Sequence, residues 1–480
     1  MLVYLFSAVF AVAPVLQAVF DLRLQLAFQQ VVLLACASWF FLRLYGDGVP
    51  AGLSSKKFYP LWGAAALSLL SLALSPLRGC IFNEWGNYGA GLLIFAFSSY
   101  LGPQERRTAD GAVLGGAWLV IGLSIFQAFA LKNFTVSPPL TNLNALALYA
   151  VMIVPLALER GQWPLAAAMA ALVVWTQSLG AALAGLAAAG VYGFSRLKAG
   201  GSSGRRMAPA GFAALCALAF FFSRADSIAG RLAWWGSAWD MFLARPLAGF
   251  GYASFARVQA AFQPAGVFRE HAIYAHNYYL EFLAENGFPA AVLWFFTVYA
   301  AVRAKRGLVR YSLIAALAHS VIDFGLSVPA NFWIFCYLLS SPAREEQPLR
   351  IGRRAAAAAL VFAAAIFAAL GGLNFSSLSF EMAERRALAA AGKSGLPSAE
   401  YELRGALGSA LFRGQALEFL GGISSRVPGQ DRRAARYYEG ALLENRYSAR
   451  AWFALKKIYA APGSEMAAAG LARRRAEVFK

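Results

Sequence analysis

The chain has 480 residues, 59% of them hydrophobic and only 14% charged, and its mean hydropathy is +0.54. Apolar runs of membrane-spanning length recur from Leu2 to about Gly372, which excludes a soluble globular protein. The net charge of +19 raises nucleic acid as a partner, but the basic residues concentrate in short loops on one side of the apolar runs, so they read as a topology signal and exclude nucleic-acid binding.

The fold class expected is all-α: a polytopic transmembrane bundle of about 12–13 spans, with a large loop at 224–287 and a small helical-repeat-like tail at 375–480. The first run, 2–20, has no basic leading segment and reads as a retained span, not a cleaved signal peptide. Further spans are expected near 25–43, 58–77, 84–101, 111–130, 143–158, 163–177, 180–195, 207–223, 288–302, 311–326, 329–341 and 355–373. Loops carrying Arg43, Lys56, Lys57, Arg106, Arg107 and Arg160 alternate with short loops that offer only Arg23, Arg78 and Lys132. The basic side is then cytoplasmic, which puts the N-terminus inside and both 224–287 and the tail outside. As one helix 163–197 would be about 52 Å long, against a hydrocarbon core of about 30 Å. It is expected to enter and return, turning near 176–180 with Gly180 at the turn. Four cysteines (Cys36, Cys80, Cys216 and Cys336) are scattered and suggest neither a disulfide framework nor a metal cluster.

The loop 224–287 is too long for a simple connector and too aromatic for disorder. "RLAWWGSAWDMFL" keeps its apolar residues on one helical stripe and suits the membrane interface, where Trp is favoured. "RPLAGFGYASF" breaks that helix with Pro246, Gly249 and Gly251, and "HNYYLEFLAENG" returns as a helix toward the next span. Of only three histidines, His271 and His276 fall in this loop and His319 follows it. Ionisable groups beside lipid are costly and tend to mark function. An imidazole takes a proton near neutral pH and a guanidinium fork grips phosphate oxygens, so His276 and Arg231 together suggest group transfer from a phosphorylated carrier to a hydroxyl. The same residues are equally consistent with Arg231 binding lipid headgroups and His276 capping a helix. His319 and Asp323, four apart, are expected on one face of a helix, holding each other as a structural pair or as support for the site.

The tail becomes polar from Phe375. Ala435, Tyr438, Ala441 and Leu442 recur at helical spacing, "ENRYSAR" makes a turn, and Trp452, Leu455 and Tyr459 line a second helix. This hairpin resembles one tetratricopeptide-type repeat, with a degenerate neighbour at 399–420, and it is read either as a helical cap or as a platform for a protein partner.

Taken in order, "RLAWWGSAWDMFLARPLAGFGYASF", "AHNYYLEFLAENGFPAAVLWFF" and "AHSVIDFGLSVPANFWIF" resemble the O-antigen ligase and polymerase superfamily. Its members share an arginine-led amphipathic helix, a Pro-Leu-x-Gly-x-Gly turn, His-Asn-x-x-Leu and His-Ser-x-x-Asp-Phe. "TNLNALALYAVMIVPLALE" is similar to the family's Asn-rich span entry and brings in Asn144, so the matches run over roughly 141–341. The resemblance implies a glycosyltransferase of the bacterial inner membrane that needs no metal and no cofactor. It would move a glycan from an undecaprenyl-pyrophosphate carrier to a hydroxyl of a lipid A core, a glycan or a protein on the periplasmic face.

By the same resemblance His276 orients or deprotonates the acceptor hydroxyl, and Arg231 binds the donor pyrophosphate. Asn277 sets the backbone at the start of its helix and is counted with the substrate-binding residues, and His319, Asp323 and Asn144 support the site. His271 has no family counterpart and reads as a loop residue. One departure stands out: many relatives carry Ser-Arg-Gly where this chain has Ser178-Leu179-Gly180. Either Arg224, Arg245, Arg257 or Arg269 takes over that phosphate contact, or donor handling differs. Two other classes compete. A flippase for polyprenyl-linked sugars calls for ionisable residues at midplane and two matching halves, which the sequence lacks. An inactive scaffold recruiting partners through the tail draws its support from Leu179.

Overall fold

The computed structural model describes residues 1–19, 21–46, 53, 55–130, 142–198, 225–263, 272–342 and 353–459; the expected span at 207–223 lies outside them. Among the described residues the fold is all-α, with eighteen α-helices and no strand. The first eight are α1 (Leu2–Val12), α2 (Leu22–Gly46), α3 (Tyr59–Leu74), α4 (Arg78–Ser98), α5 (Pro103–Phe129), α6 (Leu143–Glu159), α7 (Trp163–Thr176) and α8 (Leu179–Lys198). Then come α9 (Ala225–Ala244), the single turn α10 (Phe255–Val258), α11 (Tyr278–Ala304), α12 (Val309–His319) and α13 (Pro329–Leu339). The tail is built from α14 (Arg353–Ser394), α15 (Leu396–Leu407), α16 (Arg413–Ser424), α17 (Asp431–Glu444) and α18 (Ala449–Tyr459).

Among the described residues four segments are long and apolar enough to cross a membrane, namely Leu22–Leu44, Lys56–Leu74, Pro103–Phe129 and Tyr278–Ala304. The shorter apolar helices α1, α6, α7, α8 and α13 pack among them, and the whole is a polytopic helical membrane protein. Helix α13 reads "PANFWIFCYLL", apolar on every side, and all eleven of its residues are buried. A helix of that composition has no face to give to water and becomes core. Around it Tyr88 of α4 meets Phe332 of α13, Trp294 of α11 and Tyr252 of the loop between α9 and α10, at ring-centroid distances of 5.8, 5.6 and 5.3 Å. These rings lock together the elements that carry the site.

The expected re-entrant pair at 163–197 is present as α7 and α8, with a different turn. Gln177, not Gly180, takes the left-handed conformation (φ 51°, ψ 28°). Gly180 lies in the first turn of α8, where a Cβ would come within 3.2 Å of the His319 imidazole. The span expected at 311–326 is a shorter helix, since α12 ends at His319. His319 and Asp323 therefore do not share a helix face. Asp323 Oδ1 accepts the backbone N–H of Phe324 at 2.9 Å, a local bond that competes with helical pairing.

Helix α14 runs unbroken for 42 residues, about 63 Å, from the membrane body into the tail. Its second half supplies Phe380, Ala383 and Ala387 to the first tail core, alongside Leu396, Leu403 and Leu420. Helices α17 and α18 close a second small core through Tyr438, Leu442, Leu455 and Tyr459.

Candidate functional site

The site starts from a backbone clasp. After α9 the chain turns at Pro246, and Gly249 (φ 64°) presses on the kink of α11 at Gly287 (φ 76°). A Cβ on Gly249 would lie 2.2 Å from the Glu285 carbonyl oxygen, and one on Gly287 would lie 2.3 Å from that of Leu247. Only glycine satisfies both the left-handed backbone and this approach. Three backbone hydrogen bonds close the clasp: Phe250 N–H to Ala284 O (3.2 Å), Gly251 N–H to Glu285 O (2.6 Å) and Phe288 N–H to Pro246 O (2.8 Å). The Glu285 carboxylate adds bonds from the N–H groups of Ala253 (2.8 Å) and Phe255 (2.9 Å). Glu281, one turn earlier, accepts Ala275 N–H at 2.6 Å and the Ser327 hydroxyl at 2.6 Å. Two buried carboxylates thus staple three loops to one helix.

At the head of α11, Asn277 caps the helix, its Oδ1 accepting the N–H groups of Tyr279 (3.1 Å) and Leu280 (3.0 Å). The residue before it, His276, is held at φ 53°, a strained conformation for a residue with a Cβ and one that clusters at functional sites. Trp235 steadies it by donating its indole N–H to the His276 carbonyl at 3.2 Å. The imidazole stacks on Trp234 (centroids 5.0 Å, 22°) and meets the edge of Phe324 (4.8 Å, 87°). Behind it Phe324 lies flat on Tyr274 at 4.5 Å. Both aromatic neighbours fix the plane of a side chain that is still 20% exposed.

His276 Nδ1 lies 3.2 Å from Asp323 Oδ1, and Arg231 Nη2 donates to Asp323 Oδ2 at 3.3 Å. Asp323 is 1% exposed and Arg231 17% exposed. Burial alone would raise the Asp323 pKa, but His276, His319 and the Arg231 guanidinium hold it below the ordinary carboxylate value. The imidazole and the guanidinium therefore converge on one ionised carboxylate. Asp323, expected to pair with His319, instead bridges the two residues singled out for chemistry.

His319 is fully buried, and among the described residues neither ring nitrogen has a hydrogen-bond partner. It fits between Gly180 and Gly325, each of which would bring a Cβ to 3.2 Å of the ring. Leu179, at the position of the family arginine, is buried and directly precedes Gly180. Asn144 stands in the first turn of α6, next to Ala145, whose carbonyl accepts the Asn331 amide at 2.9 Å. Asn331 also donates to Gly325 O at 3.1 Å, so this end of α6 reaches the His319 wall.

Arg245 is not brought to the cluster. It sits fourteen residues beyond Arg231, about 21 Å along the helix, and donates to Leu74 O at 3.0 Å beneath the Phe250 ring. Arg257 lines a cavity of about 350 Å³ with Glu84, Glu281, Glu285 and Tyr274, and that lining does not include His276 or Arg231. Arg257 also borders a larger cleft of about 720 Å³ whose opposite wall is the tail, with Glu384, Glu418 and Arg450. Arg224, Arg269 and His271 lie outside the described residues. The tail docks on this same end of the bundle, Tyr447 packing between Phe250 (5.1 Å) and Phe262 (6.0 Å).

Trp234, Phe324 and Tyr274 are the site residues that motif reading passed over. Their signal was present as aromatic crowding beside His276, but nothing in one dimension says which ring faces which group.

Residues 164–295 match the protein family described as O-antigen ligase, in agreement with the resemblance read from the motifs. The matched stretch holds Arg231 and His276, whereas Asp323 and His319 fall beyond it. No curated protein matches the chain.

Proposed function

We propose, from the premise that 164–295 is an O-antigen-ligase-type domain in a polytopic membrane protein, that the chain is a lipid-carrier-dependent glycosyltransferase. It transfers a glycan from undecaprenyl pyrophosphate to an acceptor hydroxyl at the periplasmic face of the inner membrane. The observation that carries this reading is the convergence of His276 and Arg231 on the Asp323 carboxylate.

The chemistry follows from that arrangement. Asp323 faces Nδ1 and holds the imidazole in one orientation, which leaves Nε2 to take the acceptor's proton as its oxygen attacks the anomeric carbon. The bond from that carbon to the diphosphate oxygen breaks, and the departing negative charge grows at the guanidinium of Arg231. Asp323 keeps Arg231 in place with one side of its fork, and the remaining N–H groups serve the diphosphate. With leucine at position 179, Arg231 is the guanidinium at this carboxylate among the described residues, and it takes the phosphate contact.

The test is reconstitution in liposomes with a polyprenyl-pyrophosphate glycan and candidate acceptors, comparing wild type with His276→Ala and Arg231→Ala. Both variants should insert normally and transfer no glycan. Unchanged transfer by His276→Ala would remove the base from the mechanism.

A further inference from the structure

A second polar cavity lies at the opposite end of the bundle and takes no part in the site above. Helix α11 links the two, with Asn277 capping one end and Lys305 the other. Around Lys305 a cavity of about 330 Å³ is walled by Arg106, Arg160, Lys305 and Arg306, together with Asp110 and Glu159. Four cations thus face two carboxylates, and both carboxylates are already engaged. Asp110 accepts the Tyr337 hydroxyl at 2.6 Å and pairs with Arg160, while Glu159 accepts Val309 N–H at 3.0 Å.

Arg106 and Lys305, by contrast, rest on neutral oxygens. Arg106 donates to Ser340 O and Oγ, each at 3.1 Å, and to Ser98 O at 2.7 Å, and its buried Nε has no hydrogen-bond partner among the described residues. Lys305 donates to Ser340 O. Burial, with the Arg106 guanidinium next, pushes the Lys305 ammonium down to about 7. Among the described residues, positive charge is therefore held here in excess of its counter-charges and partly away from water.

The surroundings place this excess beside lipid. Trp163, at the start of α7 and three residues from Arg160, is 68% exposed, and Tyr299, one turn before Arg303, is 59% exposed. Exposed Trp and Tyr flanking basic residues mark the headgroup level of a bilayer. Basic pockets between helices at that level suit phosphate headgroups.

We propose that the Arg106–Arg160–Lys305 cavity binds a phosphate-bearing anion, the headgroup of an anionic phospholipid. Nothing in this depends on the glycosyltransferase reading.

The experiment uses the full-length chain purified in neutral detergent, with native mass spectrometry for lipid retention and thermal unfolding for ligand protection. Phosphatidylglycerol should be retained and should raise the unfolding temperature, whereas phosphatidylcholine should do neither. Lys305→Gln and, as a milder exposed variant that leaves the buried pairs alone, Arg306→Gln should each weaken phosphatidylglycerol retention about five-fold. Arg303→Gln, one turn away and outside the cavity, should not. Protection by inorganic phosphate alone, lost in Lys305→Gln, would support the anion site with a soluble source. Equal retention of the two lipids with no effect of phosphate, or full phosphatidylglycerol retention by Arg306→Gln and Lys305→Gln, would overturn the proposal.

Discussion

Asp323 faces His276 Nδ1 from 3.2 Å, and its other oxygen accepts from Arg231 at 3.3 Å, so the two side chains meet at one buried carboxylate. Asp323→Asn keeps the shape and removes the charge. Glycan transfer per folded molecule should drop about 10²- to 10⁴-fold, the usual worth of a positioned base. Leaving Arg231 buried without its partner should also cost about 3–5 kcal/mol of stability. Adding Arg231→Ala to Asp323→Asn should restore part of the unfolding temperature and none of the activity, which separates the two roles. An Asp323→Asn enzyme with normal turnover would detach the carboxylate from catalysis.

The Trp234 ring lies against the His276 imidazole at 5.0 Å. Trp234→Ala should free the imidazole to rotate and lower turnover by about ten-fold, because misorientation of a catalytic group carries costs of that order or more. Trp234→Phe keeps a flat surface and should retain most of the activity. If alanine and phenylalanine behave alike in the same reconstituted transfer assay, stacking has no part in orienting the base.

Gly249 and Gly287 meet backbone to backbone, both with positive φ. A Cβ at either position clashes with a carbonyl that cannot move without opening the clasp. Gly249→Ala should destabilise the detergent-solubilised protein by about 2–4 kcal/mol, combining left-handed backbone strain with overpacking. Gly236, where a Cβ meets nothing within 4 Å, is the matching control, and Gly236→Ala should be close to neutral. Thermal unfolding of the two variants side by side decides the matter.

Lys305 carries a pH dependence whose sign is fixed. Its folded value is pushed down to about 7 from an ordinary 10.5 by burial and Arg106, against the opposing pull of Asp110 and Glu159. Between those two values the unfolded chain binds a proton that the folded chain has released, so stability rises with pH across that window. Below about 7 both states are protonated and the slope vanishes. The unfolding temperature of wild type should therefore climb relative to Lys305→Met as pH goes from about 7 to about 10. Parallel curves for the two proteins would show that Lys305 keeps its proton.

Much of the frame could be read in one dimension because it rests on local signals. Apolar length predicted a helical membrane body, basic flanks predicted that 163–197 doubles back, and Pro246 with Gly249 and Gly251 predicted a break after the amphipathic helix. Local signals fall short where the decisive contact is long-range. Four-residue spacing linked Asp323 to His319, but α12 stops at His319, and Asp323 turns to groups 47 and 92 residues away. Spacing arguments hold only while the helix continues. Arginines offered in place of the one missing at Leu179 could not be ranked either, because composition is blind to the distance separating Arg245 from Arg231 along one helix. Leu179 itself reads as a loss in the sequence, yet it is buried and directly precedes Gly180, which with Gly325 leaves room for the His319 ring alone.

The 42-residue helix α14 also bears on how the tail folds and how it can be removed. Phe380, Ala383 and Ala387 belong by sequence to the stem but by packing to the tail. Severing the chain at 375 would take away the surface on which α15 and α16 assemble, and severing it after 394 would strand that surface in water. The tail is thus grown on a mast rooted in the helical bundle. Excising it is an injury to both halves, and its contribution is better probed by point changes at the Tyr447 seam.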